Sequence, residues 1–350
     1  MAELLSIEAA LDEVLAHVRL LSTEEVPLAN ASGRVLIEDA LAATDLPRFP
    51  SSAMDGFALR SADTPGTLPV VGRVAAGRPA DRPLDEGTAM GISTGGVVPE
   101  GADAVVPIEL VRDEGESVVV PQAAPEGANV RPRGGDARAG DVVVPAGAVL
   151  TPPRLAALAS TGVVTLRCAR RPRVAIVSTG TELRRPGEQL REGEIYESNG
   201  LMLAALLEEA GATVSPPEHV EDDPAAHEEA LAGGLETDVL VTSGGVSVGP
   251  HDLVRETLAR LGVEEVFWGV AMRPGKPLSF GTRGDTLVFG LPGNPVSSLV
   301  GAMLFLLPAL RALQGHGRPE PPFAQGVLGA PASRRPSRDD FQRATLERTG

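Results

Sequence analysis

The amino-acid sequence predicts a multidomain protein of mixed α/β and β structure, whose α/β domain has a parallel sheet with helices on both faces. From residue 171 to residue 317, apolar runs typical of buried strands alternate with helical patterns. Between residues 68 and 150, short β-branched runs end at Gly or Pro, which is typical of strands. The 350 residues suffice for about two or three domains, and 40 Gly with 31 Pro favour many turns.

The first part of the chain predicts an amphipathic helix, because Ile7, Leu11, Val14, Leu15 and Val18 follow helical spacing. The residues before them are acidic, unlike the basic start of a signal peptide, so we expect none. Residues 45–58, rich in Pro, Asp and Ser, then interrupt the helical pattern. No long helical period returns before about residue 152.

The next part predicts a small all-β module with flanking strands. Its β-branched runs occupy residues 70–77, 104–108, 117–121 and 141–147. A helix is expected at residues 153–162, and the basic segment of residues 170–173 marks a boundary before a different pattern begins.

The α/β pattern starts with an apolar run at residues 174–178 that is typical of a strand buried on both faces. A helix over residues 199–210 follows, with Asn199 as its cap and Gly211 at its end. The pattern continues with strands at residues 239–243 and 287–291, a helix at residues 253–261 and another helix from Val296. Such alternation predicts right-handed crossovers and a parallel sheet.

The last part of the chain gives two further expectations. The apolar stretch of residues 299–313 contains Pro308, which we expect to break it, and is shorter than the roughly 20 residues of a membrane span. No membrane segment is therefore predicted. After Gly317 only residues 341–348 resemble a strand, and one strand cannot make a domain, so a carboxyl-terminal β domain that is cut short is expected.

The composition limits the classes of ligand. A formal net charge of −16 argues against a nucleic-acid partner, although a small anion remains possible through local dipoles and metal ions. Cys168 is the only cysteine, and the five histidines show no paired ligand spacing. A zinc-type site is therefore not expected, a reducing cytoplasm fits, and any metal should prefer oxygen ligands.

Three loops that follow strands are candidates for ligand binding: residues 178–182, 243–252 and 291–298. In an open parallel sheet, ligands bind outside the carboxyl ends of the strands, so the three loops are expected to face one ligand. The second loop offers backbone N–H groups and hydroxyls to an anion through Ser243, Gly244, Gly245, Ser247 and Gly249. It lacks the Gly-Lys-Ser/Thr ending of a Walker loop, and a tight strand-to-helix turn is the alternative.

Carboxylates recur near these positions and predict a cation site. The candidates are Asp55, Glu182, Asp222 and Asp252, each of which is alternatively a solvated turn residue. Two such charges about 4 Å apart repel by about 4 kcal/mol at an effective dielectric constant of 20, so a cluster of them needs a cation. Oxygen ligands beside phosphate favour Mg²⁺.

A proline-stiffened loop carries two cations, Arg273 and Lys276, which together predict an anion site or, alternatively, a surface turn. In the third loop, Asn294 alternatively caps the next helix, with Pro295 at its first position. His251 is interpreted as a loop residue rather than a general base, because nothing in the sequence supplies a nucleophile for it.

Seven segments, in order along nearly the whole chain, resemble the molybdopterin molybdenumtransferase family, to which a domain of the animal scaffold protein gephyrin is related. They are Ser52-Ala-Met-Asp-Gly-Phe-Ala, Pro99-Glu-Gly-Ala-Asp-Ala-Val-Val, Ser178-Thr-Gly-Thr-Glu-Leu, Ile195-Tyr-Glu-Ser-Asn, Thr242-Ser-Gly-Gly-Val-Ser-Val-Gly, Arg273-Pro-Gly-Lys-Pro and Gly290-Leu-Pro-Gly-Asn-Pro-Val-Ser.

The resemblance implies an enzyme that inserts molybdate into adenylylated molybdopterin and releases AMP with the help of Mg²⁺. It implies an elongated homodimer with an active cleft between domains of opposite subunits, and other cofactor-biosynthesis proteins as possible partners. It also implies an elongated dimerisation domain (residues 1–44 and 130–170), a small β domain (45–129), an α/β molybdopterin-binding domain (171–317) and a short carboxyl-terminal β domain (318–350).

The resemblance assigns roles residue by residue. Asp55, Glu182, Asp222 and Asp252 hold the cation and take part in catalysis; Thr94, Asp136, Ser198, Asn199, Ser243, Gly244, Gly245, Ser247 and Gly249 bind substrate or phosphate; and Arg273, Lys276, Pro292, Asn294, Pro295 and Arg338 meet molybdate.

Four residues depart from the family pattern. Thr181 and Glu197 stand where Asp is usual, Arg273 replaces the commoner Lys, and Gly96 replaces Ala. Two alternatives remain open at this point: a binding or scaffold homologue without catalysis, and a molybdopterin adenylyltransferase. The β module counts against the second.

Overall fold

The computed structural model describes residues 4–221, 223–245, 253–331 and 338–347. Its α-helices are α1 (Ile7–Ala16), α2 (Pro152–Ser160), α3 (Asn199–Glu209), α4 (Pro224–Gly234), α5 (Leu253–Arg260), α6 (Pro295–Gly301) and α7 (Leu307–Leu313). The predicted opening helix is confirmed, with the Ser6 side chain accepting a hydrogen bond from the backbone N–H of Ala9 at its start.

The first half of the chain contains short strands, as predicted. They are β1 (Thr23–Pro27), β2 (Ala40–Leu41), β3 (Ser51–Ser52), β4 (Gly56–Leu59), β5 (Gly66–Val74), β6 (Ala89–Ile92), β7 (Ala104–Pro107), β8 (Arg112–Asp113), β9 (Ser117–Val120), β10 (Val130–Arg131), β11 (Val142–Val144) and β12 (Thr165–Ala169). Short 3₁₀ turns lie at Leu28–Asn30, Ser61–Asp63 and Ile108–Leu110.

The second half contains the strands of the α/β sheet and four smaller pairing segments. They are β13 (Arg173–Thr179), β14 (Leu183–Arg184), β15 (Ile195–Tyr196), β16 (Thr213–Val214), β17 (Glu218–Val220), β18 (Val239–Ser243), β19 (Glu264–Trp268), β20 (Met272–Arg273), β21 (Ser279–Arg283), β22 (Thr286–Leu291) and β23 (Asp339–Asp340).

A six-stranded sheet in the order β7-β4-β6-β5-β9-β8 forms the β module. Its side chains alternate between two buried clusters: Phe57 and Leu59 pack on one face, whereas Ala58 packs with Met90 and Val105 on the other. The chain segments before and after this module pair with each other, β1 with β12 and β2 with β11. Residues from both segments therefore share one core.

The α/β sheet has the order β16-β13-β18-β22-β21-β19, with β17 also paired to β13. Its centre is parallel, as predicted, but β21 and β19 run antiparallel at one edge. The sequence interpretation missed this edge. Arg283 pairs with Thr286 across a two-residue turn at Gly284, and so tight a connection can only join antiparallel strands.

Helices cover both faces of this sheet, which confirms the prediction. Val174 and Ile176 of β13 pack in one cluster, with α1, α3, α6 and α7, whereas Val177 packs in the other, with α4 and α5. Because successive side chains of a strand point to opposite faces, the continuous apolar runs supply both clusters at once.

The stretch around Pro308 is not broken, contrary to the expectation. Helix continues from Pro295 to Leu313 through a π-helical segment at Ala302–Leu306, in which the N–H of Leu307 donates to the carbonyl of Ala302. This wider turn accommodates a proline just after it. Among the described residues this one helix is long and apolar enough to cross a membrane by length and composition. However, 67% of its apolar 18-residue stretch is buried inside the protein, as in a core helix.

The strand predicted for residues 341–348 is wrong where the structure describes it, because residues 341–347 have no regular structure. The pairing segment is instead β23, which runs parallel to β20. A strand needs a neighbour for its N–H and C=O groups. The N–H of Phe341 donates to the carbonyl of Arg273 in β20, and no described residue after Phe341 donates its N–H to this segment.

Asp238, just before β18, joins the end of the β1–β12 region to the α/β sheet. Its two carboxylate oxygens accept from Arg170 at 2.6 and 2.7 Å, and one also accepts from the N–H of Arg173 at 2.7 Å. Burial raises the pKa of Asp238, but the hydrogen bonds from Arg170 and Arg173 outweigh this effect, so its pKa lies below the ordinary value.

We predict that Asp238→Asn lowers the free energy of unfolding by about 2 kcal/mol at neutral pH, because it removes a paired charge that is only 10% exposed. Because the folded pKa lies below the unfolded one, this contribution is full above the unfolded value of about 3.9 and is lost as the pH falls through the folded pKa. Denaturant unfolding at several pH values, followed by the fluorescence of Trp268, measures the difference.

Asp285→Asn is the matched control, since the Arg19–Asp285 pair is 81% and 76% exposed. We expect it to change stability by about 0.5 kcal/mol or less. Equal losses for the two variants, or a loss in Asp238→Asn that persists at low pH, would contradict the assignment.

Candidate active site

Three parallel strands end side by side at the edge of the sheet that carries the candidate site. Ser178 of β13 pairs with Ser243 of β18, and Ser243 pairs with Leu291 of β22. The loops that follow them therefore leave the sheet together, as the sequence predicted. They line a cavity of about 390 Å³, with Glu182, Glu197, Asn199, Ser243 and Gly293 among its walls.

Asn199 fastens these loops to one another. Its Nδ2 donates to Ser243 Oγ and to the carbonyl of Gly293, both at 2.8 Å, and the residue is only 6% exposed. The predicted capping role of Asn199 is wrong: Ser198 occupies the cap position and Asn199 is the first helical residue. The Asn199 side chain turns to the neighbouring loops because these offer two acceptors. At the other end of the helix, Gly211 with a φ angle of 90° follows the last turn, as expected.

Glu197, two residues earlier, holds the start of α3 against β13. Its Oε1 accepts from Ser178 Oγ at 3.0 Å and from the N–H of Gly200 at 2.7 Å. The longer side chain of Glu reaches both donors in this position. Glu197 thus has a structural function that the sequence interpretation, which noted it only as a departure from the family, did not assign.

Glu182 lies in the same cavity but has no such partners. Its carboxylate lies over Gly180, where a Cβ atom would come within 2.5 Å of Glu182 Oε2. Within the described ranges Glu182 makes no ion pair, and its side chain is exposed. A carboxylate with unoccupied oxygens at a cavity wall is the chemistry expected of a cation ligand.

Gly244 and Gly245 allow the second loop to pass close to β13. Both have positive φ angles, 96° and 60°, and a Cβ on Gly244 would lie 2.6 Å from the carbonyl of Thr179. Only glycine fits this close approach. The N–H of Gly244 donates to the carbonyl of Leu291 at 3.1 Å, so the backbone of this loop is tied to the end of β22 as it passes along the cavity wall.

The cationic loop lies against the start of α6. A Cβ on Gly275 would be 3.5 Å from the carbonyl of Ser297, so the Arg273–Lys276 turn approaches the first turn of that helix. Arg273 is exposed and Lys276 half-buried, and neither forms an ion pair with a residue that the structure describes. Arg338 reaches the same edge, because the next residue, Asp339, pairs with Met272.

The third loop confirms the capping alternative for Asn294. Its Oδ1 accepts from the N–H groups of Val296 and Ser297 at 3.1 and 3.2 Å, and Pro295 is the first residue of α6. This leaves the Asn294 amide group as the part that can meet a ligand. Pro292 is buried in the loop before it.

Asp55 and Thr94 come together in the β module. Asp55 Oδ1 accepts from the N–H of Thr94 at 2.7 Å. The following Gly56 fixes this arrangement, because a Cβ there would lie 2.1 Å from the carbonyl of Val106. Asp136 lies in the connection that leaves the module and pairs with Arg131. Asp55, Thr94 and Asp136 form what we call the module group.

No hydrogen bond or ion pair between described residues joins the module group to the cavity residues Glu182, Asn199 and Ser243. The sequence predictions for Asp222, Ser247, Gly249, His251 and Asp252 fall outside the described residues. Within the part of the chain that the structure covers, no three Asp, Glu, His or Cys side chains form a group able to hold a metal ion.

A glycine-lined cavity with an unpartnered carboxylate at the carboxyl ends of parallel strands, beside a two-cation loop, has the features expected of a protein that binds a phosphate-bearing ligand. Residues 5–162 match the family described as MoeA N-terminal region (domain I and II), and residues 175–312 match the probable molybdopterin binding domain.

Known proteins are similar to this chain over most of its length. Molybdopterin molybdenumtransferase 2 of Mycobacterium tuberculosis is 40% identical over 337 residues, covering 92% of this chain and 83% of that protein. The molybdopterin molybdenumtransferase of Haemophilus influenzae is 37% identical over 326 residues, covering 92% and 80%. The crystal structure of the molybdopterin biosynthesis MoeA protein of Pyrococcus horikoshii OT3 superposes with a TM-score of 0.78 at 31% identity, covering 91% and 81%. The chain belongs to the molybdopterin molybdenumtransferase family.

We predict that Asn199→Ala lowers the free energy of unfolding by about 2 kcal/mol, because the carbonyl of Gly293 and the hydroxyl of Ser243 lose a buried donor. Denaturant unfolding followed by Trp268 fluorescence measures it. Ser198→Ala is the control, since the Ser198 side chain is exposed and makes no cap hydrogen bond. Similar stability of the two variants would show that Asn199 does not fasten the loops.

Proposed function

We propose that this chain inserts molybdate into adenylylated molybdopterin and releases AMP. Family membership supports the reaction class. The observation that carries the proposal is the convergence of Glu182, Asn199 and the Gly244–Gly245 backbone in one cavity, with the Arg273–Lys276 loop against the neighbouring helix start. The cavity residues suit a diphosphate ligand with its cation, and the positive charges of the loop suit an oxyanion.

The shape of the cavity supports phosphate binding. The two glycines turn their backbone along the wall without side chains in the way, and Asn199 holds the loops at a fixed separation. A site whose donors are already in position loses little free energy in reorganising when charge develops on the leaving phosphate.

One carboxylate of the described cavity supports a magnesium site. Glu182 offers a carboxylate without a partner among the described residues, and carboxylate oxygen is the ligand type that a hard cation prefers. We propose that Glu182 holds Mg²⁺ together with substrate oxygens and water, with Asp222 and Asp252 as further candidate ligands. When bound, the ion supplies neutralisation of the diphosphate charge as AMP leaves.

The cationic loop supports an assignment as the molybdate end of the site. Arg273 offers a planar fork and Lys276 a compact ammonium group, and both suit a tetrahedral oxyanion. Arg338 approaches from the strand paired to the loop and adds a third positive charge. Their place beside the first turn of α6 supports molybdate binding next to the cavity.

The separation of the module group from the cavity supports a homodimer in which each active site uses both copies. Asp55 is bonded to Thr94 and Asp136 to Arg131, and none of the three makes a hydrogen bond or ion pair with described cavity residues. In the proposed assembly, the module group of one copy faces the cavity of the other. The buried single cysteine is compatible with a cytoplasmic location.

The central test is AMP release from adenylylated molybdopterin, with molybdate and Mg²⁺ each present or omitted. We predict release that requires both, and a decrease of about 100-fold or more in Glu182→Gln, which keeps the shape of the side chain but removes its charge. Quantifying AMP over time gives the rate.

Glu192→Gln is the matched control, because Glu192 is an exposed carboxylate on the loop between β14 and β15. It should retain the wild-type rate. Release without molybdate would contradict a transferase, and binding of the adenylylated pterin without any release would instead favour the non-catalytic binding homologue.

Mixing two inactive variants tests the shared site. Asp55→Asn and Glu182→Gln alter opposite halves, so a mixed dimer has one site with both changes and one site with neither. We predict that co-refolded or co-expressed variants recover up to about a quarter of the wild-type rate if assembly is random.

The matched control is Glu182→Gln mixed with Asp252→Asn, two variants that we place in the same half of the site. This pair should recover nothing. Absence of recovery in the first mixture, although mixed dimers are detected by mass spectrometry, would place both halves in one chain.

A further inference from the structure

The only tryptophan and the only lysine of this sequence lie next to each other. Lys276 Nζ is 5.9 Å from the centroid of the Trp268 ring, within the range of a cation–π interaction. The other members of the 31 Lys and Arg residues are all arginines, so Lys276 carries the only side-chain ammonium group of the sequence.

The backbone fixes this pair across a turn. Trp268 pairs with Ser279 at the end of β19, and the carbonyl of Lys276 accepts from the N–H groups of Val270 and Leu278 at 3.1 and 2.9 Å. The N–H of Gly269 also donates to the carbonyl of Leu278 at 2.8 Å. The two side chains therefore stand on opposite arms of one ordered turn.

The second cation near the ring is already paired. The Arg255 guanidinium lies 5.6 Å from the Trp268 centroid and donates to both carboxylate oxygens of Glu265 at 2.9 and 2.7 Å. Its charge is thus balanced by a carboxylate. Lys276 has no ion-pair partner among the residues that the structure describes, so its charge is the one left for a ligand.

We propose that Trp268 is a positioning residue that holds the Lys276 ammonium group ready for a tetrahedral oxyanion. This proposal rests on the proposed function of the cationic loop. A lysine side chain has a flexible four-carbon stem and loses rotamer entropy when it binds. The indole ring restricts that stem before binding, so less freedom remains to be lost when molybdate arrives.

The alternative for the pair is a purely structural contact at the sheet edge. Such a contact affects folding but not the affinity for an oxyanion. Two variants separate these explanations. Trp268→Phe shrinks the side chain but keeps an aromatic face for the ammonium group, whereas Trp268→Leu also shrinks the side chain and removes the π face.

The first experiment observes Lys276 directly in the full-length chain. Reductive methylation with ¹³C-formaldehyde labels only Lys276 and the amino terminus, and the Lys276 signal is identified by its absence in Lys276→Gln. We expect the Lys276 methyl signals to show an upfield ring-current shift that persists in Trp268→Phe and disappears in Trp268→Leu. An unshifted signal in the unaltered protein would overturn the proposal.

The second experiment measures molybdate-dependent AMP release. We expect Trp268→Leu to raise the KM for molybdate about two- to fivefold with kcat within about twofold, and Trp268→Phe to remain close to wild type. An unchanged KM in Trp268→Leu would overturn the proposal, as would a change in kcat alone.

The third experiment needs neither turnover nor a substitution at Trp268. Molybdate should change the fluorescence of Trp268, and Lys276→Gln should abolish that change. If AMP release is absent in the unaltered chain, the proposed function fails, yet the methyl shift and this fluorescence change still decide the role of Trp268. A fluorescence change that survives in Lys276→Gln would contradict it.

Discussion

The in-register alignment of three parallel strands is the constraint on which the candidate site depends. Ser178, Ser243 and Leu291 pair across β13, β18 and β22, so their loops begin at one level. A slip by one residue would exchange the two faces of a strand and move Ile176 out of the cluster it fits and into the cluster on the other face. The cores on both faces therefore fix the register, and the register places Asn199 within reach of two neighbouring loops.

The two carboxylates of the cavity have different functions because their neighbours differ. Glu197 accepts hydrogen bonds from Ser178 and from the N–H of Gly200, so it stabilises the start of α3. Glu182 has no such bonds within the described residues and lies at the cavity wall. Two hydrogen bonds to Oε1 hold the Glu197 carboxylate in place, whereas that of Glu182 has neither oxygen engaged by a described residue, which supports Glu182 rather than Glu197 as the magnesium ligand in the proposed function.

The sequence predicted the features that periodicity and strand ends encode: the α/β class, helices on both faces and the convergence of three loops. It did not predict the antiparallel edge, because β21 and β22 are separated by a two-residue turn that carries no helix signal. Nor did it predict the contacts of Asn199, whose partners are 44 and 94 residues away. Such contacts have no local signal, and for the same reason Asn199 resembled a cap and Trp268 drew no attention.

The connection between the β module and the rest of the chain bears on how the two halves of the site meet. The chain enters and leaves the module through adjacent segments, since Ser52 pairs with Val130 and Leu46 with Ala137. Asp45 is tied to Arg133 at 2.6 Å and to the N–H of Ala139 at 2.9 Å. Two paired segments resist independent movement better than a single linker does. In the proposed homodimer, a second copy supplies the module group while these pairings stay intact within each chain.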